Sequence, residues 1–283
     1  MRAADARLRQ LLVAMDGSAH GRAAATLAIG WARRFGATLL GLGIVDEPGI
    51  TKPEPVSLGG TSFKRERDDM RLVDAQERIG DFLGLFRGEC EAAGVPCVTL
   101  QGVGVPHEQI ALEAIGCDAV VLGKETNFHF ETQKTADATL SHVLRCSPRP
   151  VVVVPEKPDD GEGALIAYGS GQESSRTLQS FTLLGLADGA PLTVLSIEAE
   201  GARAARRLRR AGDYLAAHEI SPRLVPIVSD EEPAGLILEE IKRRRPRILV
   251  MGAHAHHPVK DLFVTSVTRA VVKETPIPVF IGG

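Results

Sequence analysis

The chain has 283 residues, a length that suits one large domain or two of about 140 residues each, and its 44% hydrophobic and 24% charged side chains exclude a disordered chain. A formal net charge of −3 and only 4% aromatics give no electrostatic or stacking ground for a nucleic-acid partner, nor for an anionic membrane surface. No apolar run approaches the roughly 20 residues of a bilayer span, Leu11–Met15 is too short for a signal-peptide core, and the cysteines (Cys90, Cys97, Cys117, Cys146) form no CxxC pair, so a cytoplasmic protein without disulfides or a zinc knuckle is expected.

In chain order, short apolar runs alternate with longer amphipathic stretches. Leu11–Met15 is the first run, and Gly21–Phe35 the first helical stretch, stopped by Gly36. Thr38–Val45 is the second run. Pro48–Phe63 is rich in Pro, Gly and Ser and reads as an excursion loop. A second helix follows over 68–93, with Gly94 at its end. Cys97–Leu100, the helix Glu108–Ala114, Ala119–Leu122 and Val151–Val154 complete the pattern. Continuous Val- and Leu-rich runs of this length suit parallel strands buried on both faces. After the charged linker Pro155–Gly163 the alternation starts again, with runs at Leu165–Tyr168, Leu192–Ile197, Arg223–Val228, Ile248–Met251 and Val279–Ile281.

The second half repeats the first. Leu11-Leu-Val-Ala14 and Gly36-Ala37 recur as Leu165-Ile-Ala167 and Gly189-Ala190 at one constant separation. Asp118-Ala-Val-Val-Leu-Gly123 pairs with Arg247-Ile-Leu-Val-Met-Gly252, and Pro150-Val-Val-Val-Val154 with Pro278-Val-Phe-Ile281. The expected fold is α/β: two repeated doubly wound domains over 1–156 and 163–283, each a five-stranded mostly parallel sheet with helices on both faces. The last run of each repeat would be an exposed apolar edge if left alone, so Val151–Val154 and Val279–Ile281 are expected to face each other. An intrachain pseudo-dimer is expected, with a homodimer as the larger assembly left open.

In open α/β sheets ligands bind beyond the carboxyl ends of the strands, where strand order reverses. In the second repeat that place is the loop from Gly252 to Thr268, where small residues let a phosphate approach and Ser266 and Thr268 add donors at a helix start. The chain also carries Val13-Ala-Met-Asp16-Gly-Ser18 at its first strand, Ser266-Val-Thr268-Arg269 after the loop, and Pro-x-Pro-Val before each last strand. In these features it resembles a tandem universal stress protein, two universal stress protein A-type domains in one polypeptide. The resemblance implies a nucleotide site made of an Asp after the first strand, the end of the second strand, and a phosphate loop of the form G-x2-G-x9-G-S/T.

Each repeat keeps part of that pattern. The second reads Gly252-x2-Ala255-x9-Thr265-Ser266, then Val267 and Thr268, with its spacing preserved but Gly169 in place of the Asp. The first keeps Asp16, Val45 and Gly123, but its loop reads Gly123-x2-Thr126-x9-Ala136-Asp137, and a carboxylate there repels phosphate. ATP or another adenine nucleotide is the expected ligand, held by the second repeat. Asn127–Glu131 sets two aromatics where the family has small residues and is expected to anchor the loop or plug the first pocket.

Other features are given solvent or capping roles. These are the loop histidines His254, His256 and His257 near Asp261, the basic runs Arg206–Arg210 and Lys242–Arg245, and the serine-rich Ser170–Ser175. No metal site and no nucleophile motif is read. A non-enzymatic regulatory protein is the leading expectation. A nucleotide-free protein-interaction module and a slow ATP hydrolase or pyrophosphatase are the alternatives.

Overall fold

The computed structural model describes residues 8–55, 60–129, 137–253 and 266–282. It divides into two compact units, 9–148 and 149–283. The first contains β1 (Gln10–Met15), α1 (Ala19–Phe35), β2 (Thr38–Val45), α2 (Glu47–Ile50), α3 (Thr61–Ala92), β3 (Cys97–Val103), α4 (Pro106–Ala114), β4 (Ala119–Gly123) and α5 (Thr139–Cys146). Its strands lie in the order β3-β2-β1-β4, and β1 runs parallel to both β2 and β4, with Leu12 opposite Leu40 and Val120. Strand order therefore reverses between β1 and β4.

The second unit contains β5 (Val151–Val154), β6 (Ala164–Ala167), α6 (Gln172–Leu183), β7 (Leu192–Glu198), α7 (Gly201–Ala217), β8 (Arg223–Val228), α8 (Pro233–Arg244), β9 (Ile248–Gly252), α9 (Ser266–Glu274) and β10 (Val279–Gly282). The order is β5-β10-β9-β6-β7-β8. The neighbours of β6 and β9 are parallel, and the reversal falls between β6 and β9. The two terminal strands face each other as expected: β10 pairs antiparallel with β5, Val279 opposite Val153 and Ile281 opposite Val151. Every residue of β5 and β10 is buried, so neither leaves an apolar edge. The strand that closes the first repeat thus lies in the second unit.

Burial explains the continuous apolar runs. Leu11, Val13, Val120 and Val121 are fully buried, and each such side chain contributes about 1.5–3 kcal/mol. The repeats reach similar packing by opposite choices. In the first, β2 carries Gly41 and Gly43, whose absent Cβ atoms would come within 2.6 Å of the Phe86 ring and 2.5 Å of Ile79 on α3. In the second, β7 carries Val194 and Ser196 at the matching places, and the covering helix α7 is narrowed by buried Ala204 and Ala211.

One expectation needs correction. Pro48–Phe63 is not loop throughout, because α2 occupies Glu47–Ile50 and α3 begins at Thr61, seven residues before the expected start at 68. Asp46 caps α2 by accepting from Gly49 N–H at 3.1 Å. The early turns of α3 are held by ion pairs of Lys64 with Asp68 and of Arg67 with Asp68 and Glu54, a gain that composition alone does not reveal.

Candidate functional site

In the second unit a cavity of about 290 Å³ opens at the carboxyl ends of β6, β7 and β9, at the strand reversal. Tyr168, Gly169 and Gly171 reach it from the end of β6, Glu198 and Arg207 from β7 and α7, and Gly252, Val267 and Thr268 from β9 and α9. Gly252 admits no side chain, since a Cβ would lie 2.9 Å from Ser174 N and 3.0 Å from the Glu173 carbonyl carbon. The first turn of α6 therefore presses directly on the end of β9. Thr268 is buried, and its Oγ1 donates to Gly252 O at 3.4 Å. Ser266, exposed, opens α9 just ahead of the two residues that line the cavity.

Two helix starts and one ion pair, Arg207 with Glu198, set the electrostatics of this cavity. The cap residue of α6 is Gly171, which has no side-chain oxygen to offer the helix. Ser174 does not fill that role, because its Oγ accepts from Gly169 N–H at 3.1 Å. Arg207 stands in the same cavity, paired with Glu198. Burial pulls the Arg207 guanidinium below its ordinary pKa. Two helix starts and an arginine thus share one small space.

In the first unit the chain itself fills part of the corresponding edge, and a cavity of about 380 Å³ beside it, between α1 and α3, is lined by Asp16, Gly17, Ser18, Arg22 and Asn127. Asn127 N–H donates to Asp16 Oδ2 at 2.7 Å, and Phe128 N–H to Asp137 Oδ2 at 2.8 Å. The ring of the next residue, His129, lies between two carboxylates, with Nδ1 2.5 Å from Asp46 Oδ2 and Nε2 3.4 Å from Asp137 Oδ1. Hydrogen bonds to Asp137 and Asp46 raise the His129 pKa to about 9, so it is an imidazolium at neutral pH. Burial alone would raise the Asp137 carboxyl. Hydrogen bonds from His129, Thr139 and Phe128 outweigh this and hold it well below the carboxylate range. Phe128 is 0% exposed and anchors the segment.

Asp16 is the Asp that the family pattern assigns to the nucleotide site. Its Oδ1 accepts from Ser18 N–H at 2.9 Å and its Oδ2 from Asn127. Val45 ends β2, buried, with its carbonyl accepting from Gly104 N–H at 3.0 Å. Gly123 ends β4, where a Cβ would stand 2.7 Å from His20 Cβ. The structure thus brings Gly252, Val267 and Thr268 together in one unit, and gathers Asp16 and Asp137 around one segment in the other. Ala255, Thr265, Phe130, Glu131 and the loop histidines with Asp261 lie outside the described residues. Among the described residues no group of three or more His, Cys, Asp or Glu is placed to hold a metal ion.

Sequence reasoning gave no site role to Asp46, Glu198 or Tyr168, and named His129 only within Asn127–Glu131 and Arg207 only within a solvated basic run. One signal was present. Glu198 stands in the second repeat where Val45 stands in the first, and a charge in place of an apolar strand end asks for a partner.

An open parallel sheet with a cavity at its reversal point defines the doubly wound class of ligand-binding α/β proteins. The model of the Universal stress protein family matches residues 7–155 and again 165–281, and the chain belongs to that family. It is 22% identical over 292 residues to Universal stress protein Slr1230 of Synechocystis sp., covering 96% of this chain and 99% of that protein. Its fold is similar to the crystal structure of a universal stress protein from Archaeoglobus fulgidus, with a TM-score of 0.68 and 17% identity over 99% of this chain and 98% of the other. No helix among the described residues is long and apolar enough to cross a membrane.

Proposed function

We propose that this is a cytoplasmic regulatory protein whose second repeat holds the phosphates of ATP or another adenine nucleotide, and whose first repeat is closed to them. The division into repeats over 1–156 and 163–283 goes with this reading. The observation that carries it is the meeting of Arg207, the α6 start at Gly171 and the α9 start in one cavity. The adenine assignment rests on the family's ATP-binding pattern, of which Gly252, Ala255, Thr265, Ser266, Val267 and Thr268 keep the spacing. In the first repeat the donors that would meet a phosphate are already held by Asp16 and Asp137.

Calorimetric titration of ATP and ADP into the wild type and Ser266→Asp tests the placement. Two like charges about 4 Å apart repel by roughly 4 kcal/mol at an effective dielectric near 20. Ser266 is exposed, which reduces this, so the variant is expected to bind about a hundredfold more weakly. Equal affinity in the two proteins refutes the placement, and absence of binding in both refutes the nucleotide reading itself.

A further inference from the structure

The second unit carries another cavity at the opposite end of its sheet. It measures about 590 Å³ and lies at the amino ends of β6, β7 and β8. Arg223 from β8 and Arg243 and Arg244 from the end of α8 line it, with Thr193, Ser221 and one carboxylate, Glu162. We propose that this cleft is a second anion site, built to take a di- or triphosphate group independently of the site at the carboxyl ends.

Basic residues in the last turn of a helix ordinarily answer the helix dipole and point into solvent. Arg244 does not, since its side chain is only 14% exposed. It is turned inward by Glu240, the one carboxylate on the buried face of α8, whose Oε2 accepts from Arg244 Nε at 2.6 Å while Oε1 accepts from Arg243. Burial alone would raise the Glu240 carboxyl, but the hydrogen bonds from Arg243 and Arg244 outweigh it and hold it below its ordinary pKa. Glu240 engages Arg244 through Nε, so this hydrogen bond does not use the terminal nitrogens of a guanidinium that lines the cleft. Arg223 comes from a different element into the same cleft. The first repeat has no counterpart, because α4 ends at Ala114 and Ile115 follows where the second repeat has its arginines.

The walls are rigid. Glu162 N–H donates to Arg245 O, Arg247 N–H to Gly163 O and Ala164 N–H to Pro191 O. Gly161 and Gly163 make these approaches possible, since Cβ atoms there would come within 2.3 Å of Arg245 O and 2.0 Å of Pro191 O. A site fixed before binding loses little freedom on binding.

The test uses the full chain and inorganic pyrophosphate as the probe, followed by backbone amide chemical shifts. Thr193, Ser221 and Arg244 are expected to shift together and saturate. Arg223→Gln, at an exposed edge-strand position, should weaken the midpoint about tenfold or more. Glu162→Gln should tighten it, because it removes the only carboxylate in the lining. Opposite signs from two exposed substitutions are not produced by loss of fold. Arg244→Gln is avoided because it strips buried Glu240 of a partner. The proposal is overturned if these amides do not move, if Arg223→Gln leaves the midpoint unchanged, or if Glu162→Gln weakens binding.

Discussion

In the first repeat Asn127–His129, three consecutive residues each held by a different carboxylate, fill the sheet edge between Asp16, Asp46 and Asp137 at the carboxyl ends of the strands. They leave a cavity on the α3 side of β1. In the second repeat the matching ends of β6, β7 and β9 frame a cavity containing an arginine. A parallel sheet collects donors at this edge whatever the sequence, because helix starts point their N–H groups there. The two repeats differ in who satisfies those donors. Ser18 caps α1 by accepting from Gly21 N–H at 3.0 Å, and Asp16 takes Ser18 N–H. α6 begins at a glycine that supplies no acceptor. A ligand entering the first edge must break the hydrogen bonds to Asp16 and Asp137, whereas one entering the second meets an α6 start with no side-chain cap and the Arg207–Glu198 pair.

The largest expected effect comes from removing the carboxylate that holds the first edge shut. Asp137 accepts from Phe128 and from Thr139, the latter at 2.7 Å, and faces His129, while its side chain is only 6% exposed. Asp137→Ala leaves those donors without an acceptor and should cost about 3–5 kcal/mol in the first unit. Urea unfolding of the full chain, followed by signals from both units, measures it. A loss below about 1 kcal/mol would mean that the segment is held by Phe128 packing alone.

The next effect is a dependence on pH. The folded-state pKa of His129 is raised to about 9, against an ordinary value near 6.5. The imidazolium therefore contributes stability that is fully present below about pH 6.5 and is lost as pH rises through 9. Allowing for solvent screening, about 2 kcal/mol is at stake. The stability difference between wild type and His129→Gln should shrink across that window. A difference that stays constant from pH 6 to pH 10 would show that the ring is held as a neutral group.

The contrast between the repeats was only half legible in the sequence. Asp16, Asp137, Gly252 and Thr268 were found because a spaced pattern marks them, and the strands because Val- and Leu-rich runs recur at a fixed separation. Asp46 and His129 belong to no pattern. They meet because β2 and the loop after β4 end at the same sheet edge, 83 residues apart in the chain. Arg207 was read as part of a solvated basic run, since four arginines in five positions look like a helix surface. Burial of one of them beside Glu198 depends on the width of α7 and on the length of β7. The early turns of α3 are tied across the excursion by the Arg67–Glu54 ion pair, which local propensity does not contain.

The smallest effects test the helix starts directly. Ser18→Ala removes the cap of α1 and should cost about 1 kcal/mol in the first unit, with no change in nucleotide affinity. Gly171→Asp makes the reverse change in α6. Gly171 has φ −75° and ψ 157°, a backbone that an Asp cap adopts without strain. Its carboxylate would accept the first-turn N–H groups and meet the positive end of the helix dipole, adding about 0.5 kcal/mol of stability. The same carboxylate would occupy the place offered to a phosphate. Stability should therefore rise while ATP affinity falls, as read by thermal unfolding with and without ATP. If both rise together, the anion does not sit at the α6 start, and Arg207 with the α9 start would have to hold it.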